Sequence, residues 1–279
     1  MARCPNVTVI AFLAAASSLA PPATAQEQSQ IKTCQGGWEI EASAKVSACT
    51  ALIDGKQLKD DEVAAAFYFR GAAFKDLGTF DKAMADLSEA IRLAPEASAP
   101  YAMRGGLLSA VEKFDEAIAD FDNAIRLDPG DGYAFQQRGD AYEVKGQHAR
   151  AIADYDETIR LDPKDGFALS VRCRVRAIWG QKLEQALKDC SEAISLDDDN
   201  QYSYEQRGLV HLRLGKYREA IADYGEALKQ YAGRPESLYG RGIARLRNGD
   251  ANAGKEDIAA ATVIDAGIAK TFADWGVKP

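Results

Sequence analysis

The stretch Ala117-Ile-Ala-Asp-Phe-Asp-Asn-Ala-Ile-Arg-Leu-Asp-Pro129 decides how the rest of the chain is read. It returns 34 residues later as Ala151-Ile-Ala-Asp-Tyr-Asp-Glu-Thr-Ile-Arg-Leu-Asp-Pro163. A weaker copy, Ala83-Met-Ala-Asp-Leu-Ser-Glu-Ala-Ile-Arg-Leu-Ala-Pro95, stands one period earlier. Self-similarity at a fixed period marks a repeat architecture, because each unit is a supersecondary element that cannot bury its apolar face alone. Stacking the units then makes one continuous core.

Working outward, six units begin near Ala64, Ser98, Gly132, Gly166, Gln201 and Pro235, and the fourth carries one extra residue near Gln181. A bulky residue recurs at the fourth position as Phe67, Tyr101, Phe135, Leu169, Tyr204 and Leu238. A small one recurs at the eighth as Gly71, Gly105, Gly139, Cys173, Gly208 and Gly242. The twentieth position holds Ala83, Ala117, Ala151, Ala186, Ala220 and Gly254. The small columns let two antiparallel helices approach closely, and the bulky knobs fill the space toward the next unit. Pro95, Pro129 and Pro163 stop each second helix, whereas the later units have Asp198, Ala232 and Ala266 there, so those junctions are expected to be looser or re-angled. In period and in these columns the chain resembles the tetratricopeptide repeat family. The resemblance implies an all-α, right-handed superhelical solenoid of antiparallel helix pairs over residues 64–265.

Arg70, Arg104, Arg138, Arg172, Arg207 and Arg241 form one charged column, and Asp86, Asp120, Asp154, Asp189, Asp223 and Asp257 form another. Repetition in every unit suits a structural ion-pair ladder better than a single ligand site.

The flanks read differently. Residues 1–25 match a secretory signal peptide, with Arg3, an apolar stretch from Val7 to Ala20 too short to span a bilayer, and an Ala23-Thr-Ala25 cleavage site. This predicts export to a periplasm, or secretion, with no membrane span after cleavage. Residues 26–33 are polar and are expected to form a loose linker. Residues 34–63 read as a degenerate capping helix pair, and 266–279 as a C-terminal capping helix in which Ile268, Phe272 and Trp275 share one face. Lys270 and Asp274 are then expected to point to water.

Four cysteines follow the leader. Cys49 and Cys190 occupy the same second-helix position, and Cys34 and Cys173 fall at nearly the same place on the first helix. Of the three possible pairings the register favours Cys34–Cys49 and Cys173–Cys190, each tying the two helices of one unit in an oxidising compartment.

Function is less legible. The chain has 279 residues and a net charge of −8, which opposes binding to nucleic acid. Only two histidines are present. His148 falls in a turn and reads as solvated; His211 sits at a core position. No nucleophile motif, phosphate loop or closely spaced ligand set calls for catalysis, a metal or a cofactor. Asp197-Asp-Asp-Asn200 lacks the glycine and terminal glutamate of a calcium loop and reads as a charged turn. By the family resemblance, the first helices line a concave groove. Its candidate partner-binding residues are Tyr68, Phe69, Met103, Tyr133, Gln136, Gln137, Asp140, Phe167, Arg174, Tyr202, Glu205, Gln206 and Tyr239. The sixth position has no asparagine, so the family's clamp for a C-terminal carboxylate is not expected. Tyr133, Phe167 and Tyr202 form a row able to anchor a protein segment or to stack on sugar rings. The reading is therefore a noncatalytic adaptor for a segment of an envelope protein; the alternative is a glycan-binding module.

Overall fold

The computed structural model describes residues 25–55, 58–197 and 199–279. The apolar leader core and Cys4 lie outside them. The described residues form α1 (Ala25–Cys34), α2 (Ala42–Asp54), α3 (Asp60–Asp76), α4 (Phe80–Leu93), α5 (Ser98–Ala110), α6 (Phe114–Leu127), α7 (Gly132–Val144) and α8 (His148–Leu161). They continue with α9 (Gly166–Trp179), α10 (Leu183–Leu196), α11 (Gln201–Arg213), α12 (Tyr217–Gln230), α13 (Pro235–Arg247), α14 (Ala251–Ile264) and α15 (Ile268–Asp274). The six repeats are the pairs from α3/α4 to α13/α14, joined into an all-α repeat superhelix. Among the described residues no helix is long and apolar enough to cross a membrane.

The small-residue columns do what their size allows. Ala83, Ala117, Ala151, Ala186 and Ala220 are all fully buried between paired helices. A Cβ added at Gly105 would come within 2.8 Å of the Phe121 ring, so no larger residue fits that crossing without movement. Each unit turns from its first helix to its second through a left-handed residue. Gly78, Gly146, Gly180, Gly215 and Gly249 supply it, and Glu112 takes the same conformation, at φ 60°, in the second unit. The extra residue of the fourth unit is absorbed by a second left-handed position, Lys182, at the start of α10.

Each column arginine donates Nε and Nη2 to both oxygens of its aspartate, at 2.6 to 3.0 Å, with the aspartates buried. Bidentate geometry of this kind is the strong form of the pair. In the first four units Nη1 also reaches back to the preceding helix pair, at Thr50, Ser88, Asp122 and Asp156. In the last two, the corresponding residues are Ser191 and Gly225; Arg207 pairs with Asp223, and Arg241 pairs with Asp257, which Arg245 also holds at 2.8 Å.

Three expectations need adjustment. Residues 26–33 are not a loose linker: they belong to α1, which lays Ile31 and Cys34 against α2 and is pinned by the Cys34–Cys49 disulfide. The first repeat helix also begins at Asp60, before the expected boundary, with Asp60, Asp61 and Glu62 at its positive end. The junctions without proline are not re-angled at the second-helix cap. Asp197, Tyr231 and Asp265 keep the extended backbone of Ala94, Asp128 and Asp162. The disulfides Cys34–Cys49 and Cys173–Cys190 are both made, as the register indicates.

Candidate functional site

First helices meet one another along the array, α5 with α7, α9 with α11 and α11 with α13. Among the described residues sustained contact between like helices is confined to them, which puts them on the inside of the curve. This concave face has two unlike parts.

The part built on α7 and α9 is open. Tyr133 and Phe167 are 46% and 50% exposed, and Phe167 stacks on Tyr202 with centroids 6.2 Å apart and rings 17° from parallel. Asp131 and Asp165 cap the two helices, accepting from the backbone of Ala134 and Ala168, and this fixes where the rings emerge. Beside the rings, Asp140 accepts from Tyr155 Oη at 2.7 Å and from Gln137 Nε2 at 3.3 Å. Arg174 donates to Glu143 at 2.7 Å. Burial raises the pKa of Asp140 and of Glu143 despite Arg174, and the nearby Asp140 charge adds to the rise at Glu143. Tyr202 is pushed up to about 12, first by burial, with Arg174 opposing. Gln136 is partly exposed on the same face, while Tyr68 and Met103 pack against Leu87 and Leu107.

The part built on α11 and α13 is covered by the chain's own end. Phe272 of α15 packs on Tyr239 and on Trp275, with centroids 4.9 and 5.0 Å apart. Arg213 donates to the carbonyl oxygens of Trp275 and Ile178, and Arg247 to that of Lys278. Ile268, Phe272 and Val277 are buried, while Lys270 and Asp274 pair in solvent at 2.6 Å. Tyr239 keeps 3% of its surface. Glu205 and Gln206 are buried too, with Glu205 taking Arg234 Nη2 at 3.0 Å, Ser237 Oγ at 2.5 Å and Gln206 Nε2 at 3.2 Å. A cavity of about 110 Å³ lies where the two parts meet, walled by Arg174, Tyr202, Glu205, Gln206, Tyr224 and Trp275 among others.

Models of the tetratricopeptide repeat match residues 64–96, 103–166 and 206–264. The chain belongs to the tetratricopeptide repeat family. Solved structures of like shape include a tetratricopeptide repeat protein from Parabacteroides merdae, 15% identical, with 90% of this chain and 99% of that one covered and a TM-score of 0.64. YrrB, described as a TPR protein with an unusual peptide-binding site, is 23% identical, covers 64% of this chain and 92% of its own, and has a TM-score of 0.53. The MamA protein is 20% identical over 63% and 96%, with a TM-score of 0.53. No curated protein sequence matches the chain.

Set on this repeat scaffold, the expected groove residues divide. Tyr133, Gln136, Gln137, Asp140, Phe167, Arg174 and Tyr202 come together on the open part. Six depart from the expectation of an open groove, Tyr68 and Met103 because they pack against Leu87 and Leu107. Phe69 packs into the N-terminal cluster with Cys49, and Glu205, Gln206 and Tyr239 are covered through the tail and the Arg234 ion pair. Sequence reasoning missed Tyr155 and Tyr224, second-helix residues whose hydroxyls reach through to the concave side. Gly139 lies against the first ring, and Gly208 and Gly240 against the second, where an added Cβ would overlap it. That glycine-facing-tyrosine pattern was the available signal. His148 is not free in solvent: it opens α8 and leans on Trp179 with centroids 6.3 Å apart, and burial lowers its pKa. His211 is packed as expected, 3.5 Å from Asp223. Among the described residues no group of three or more histidine, cysteine, aspartate or glutamate side chains is placed to hold a metal ion.

Proposed function

We propose that this tetratricopeptide repeat protein is a noncatalytic adaptor of the bacterial periplasm that holds a segment of another envelope protein on the open part of its concave face. The observation that carries the reading is the pair of large rings, Tyr133 and Phe167, left half exposed beside the Tyr155–Asp140 and Arg174–Glu143 pairs. Rigid aromatic anchors next to polar and charged groups are the usual composition of an interface core and its surround. A solved protein of the same fold, YrrB, is described as having a peptide-binding site, which is in keeping with this use of the scaffold. Placement in the periplasm is supported by the leader pattern of residues 1–25 and by two buried disulfides.

The test replaces Tyr133, Phe167 and Tyr202 together by alanine. The expected result is loss of the periplasmic proteins crosslinked to the wild type, with retention on cell-wall material unchanged. Loss of retention with unchanged crosslinks would move the function to glycan binding. No change in either would remove this row from any recognition role.

A further inference from the structure

The fully buried Tyr224 hydroxyl has no hydrogen-bond partner, and neither has the buried Nε of Arg174; both side chains wall the same 110 Å³ cavity. An internal control shows that the vacancy at Tyr224 is not forced by the repeat. Tyr155 stands at the same register two units earlier, and its hydroxyl is taken by Asp140 at 2.7 Å. The residue in register with Asp140 is Leu209, which cannot accept. Phe121, at this register in α6, shows that the scaffold also accepts a ring with no hydroxyl. A buried hydroxyl without a partner is costly, so its presence beside a cavity marks a place where something else supplies the acceptor.

The charges around the cavity are already matched. Arg174 holds Glu143, and Arg234 holds Glu205 and lies 3.9 Å from Glu236. An incoming anion would meet three carboxylates, and an incoming cation would compete with guanidiniums in place. Two donors are left without a partner, Tyr224 Oη and Arg174 Nε, the charge of Arg174 being met by Glu143; Gln206, whose amide nitrogen is given to Glu205, also walls the cavity and brings a side-chain carbonyl oxygen able to accept. Apolar contact comes from Leu209, Phe272 and Trp275. A carbonyl oxygen facing two donors and an amide nitrogen facing one acceptor describe a primary carboxamide on a short apolar stem.

We infer that this cavity receives the side chain of a glutamine or asparagine from the segment lying on the open part of the concave face. The inference rests on the groove reading above and adds the chemistry of one anchor. The covering tail makes it specific to this end of the array, since Trp275 closes one wall.

The test is a positional-scanning library of nonapeptides, acetylated and amidated so that free termini play no part, bound to the full mature chain. The expected result is enrichment of glutamine or asparagine at one position. Tyr224→Phe should then weaken the best peptide about tenfold, while an analogue with norleucine in place of the amide residue binds both forms equally. Leu209→Asn, which offers Tyr224 an acceptor of its own as Asp140 does for Tyr155, should remove the same preference without altering the tyrosine. Equal affinity of both proteins for the amide peptide, or selection of charged residues only, would overturn the inference and leave the groove reading standing. Absence of any peptide binding would overturn both. Free glutamine bound as tightly as the peptide would make the site one for a small solute and overturn the assignment to a segment.

Discussion

The two parts of the concave face are made from the same repeat and present opposite surfaces. At the start of α9, Phe167 is half exposed and stacked only on Tyr202; on α13, Tyr239 is sealed beneath Phe272. The ladder changes along the same direction. Arg138 and Arg172 bridge two aspartates from successive units, while Arg207 and Arg241 hold one each from the column. Near the centre the units are tied by charge and leave their inner rings free. Near the C-terminus they are tied by the chain's own tail, which takes up the inner rings and the carbonyl-binding arginines Arg213 and Arg247. A repeat scaffold thus sets which positions face inward, and the path of the terminal segment sets which of those remain available.

Truncating one ring in each part sharpens this contrast most. Phe272→Ala empties a buried site and should cost about 3 to 5 kcal/mol, read as faster hydrogen exchange confined to α13, α14 and the end of α11. The ladder gives the next effect. Asp223→Ala strands Arg207 in a half-buried setting and should cost about 2 to 3 kcal/mol. Asp154→Ala leaves Arg138 with Asp122 at 2.5 Å and should cost clearly less, checked by parallel urea denaturation of the two variants. Equal losses would mean that the bridge to the earlier unit carries no weight.

A smaller effect follows from burial of Asp140. Its folded pKa is raised above the ordinary 3.8, so the folded chain holds this proton more tightly than the unfolded one. The stability it contributes is therefore greatest below that value and falls as pH rises through the raised one. Asp140→Asn keeps an acceptor for Tyr155 and should gain on the wild type between acid and neutral pH; a constant difference in melting temperature would contradict this. Smallest of all, Phe167→Ala should change stability by no more than about 1 kcal/mol, because half of that side chain already faces solvent.

The repeat, its small-residue crossings and the disulfide pairing were legible because they depend on register, which one sequence displays many times over. Gly105 against Phe121 and the alignment of Cys173 with Cys34 needed no more than counting. The covered end was not legible for the opposite reason. Ile268, Phe272 and Trp275 announce an apolar face through their spacing, yet nothing periodic says that the face turns onto Tyr239 and that backbone carbonyls beyond it reach Arg213 and Arg247. Helix α1 escaped notice because the eight residues after Ala25 offer only Ile31 to a core, and its anchor is a disulfide rather than an amphipathic stripe. Tyr224 was not legible as a site residue, since its hydroxyl matters only through one missing partner at Leu209.

The division of the concave face is tested most directly by nitration of the native chain with tetranitromethane, followed by mass spectrometry of its tyrosines. Tyr133 should be modified early, and Tyr239, Tyr224 and Tyr155 should stay protected until the chain unfolds, in keeping with exposures of 46%, 3%, 1% and 0%. Nitration of Tyr239 at the rate of Tyr133 would show that the tail does not cover α13, and the distinction between an open and a covered part would fall with it.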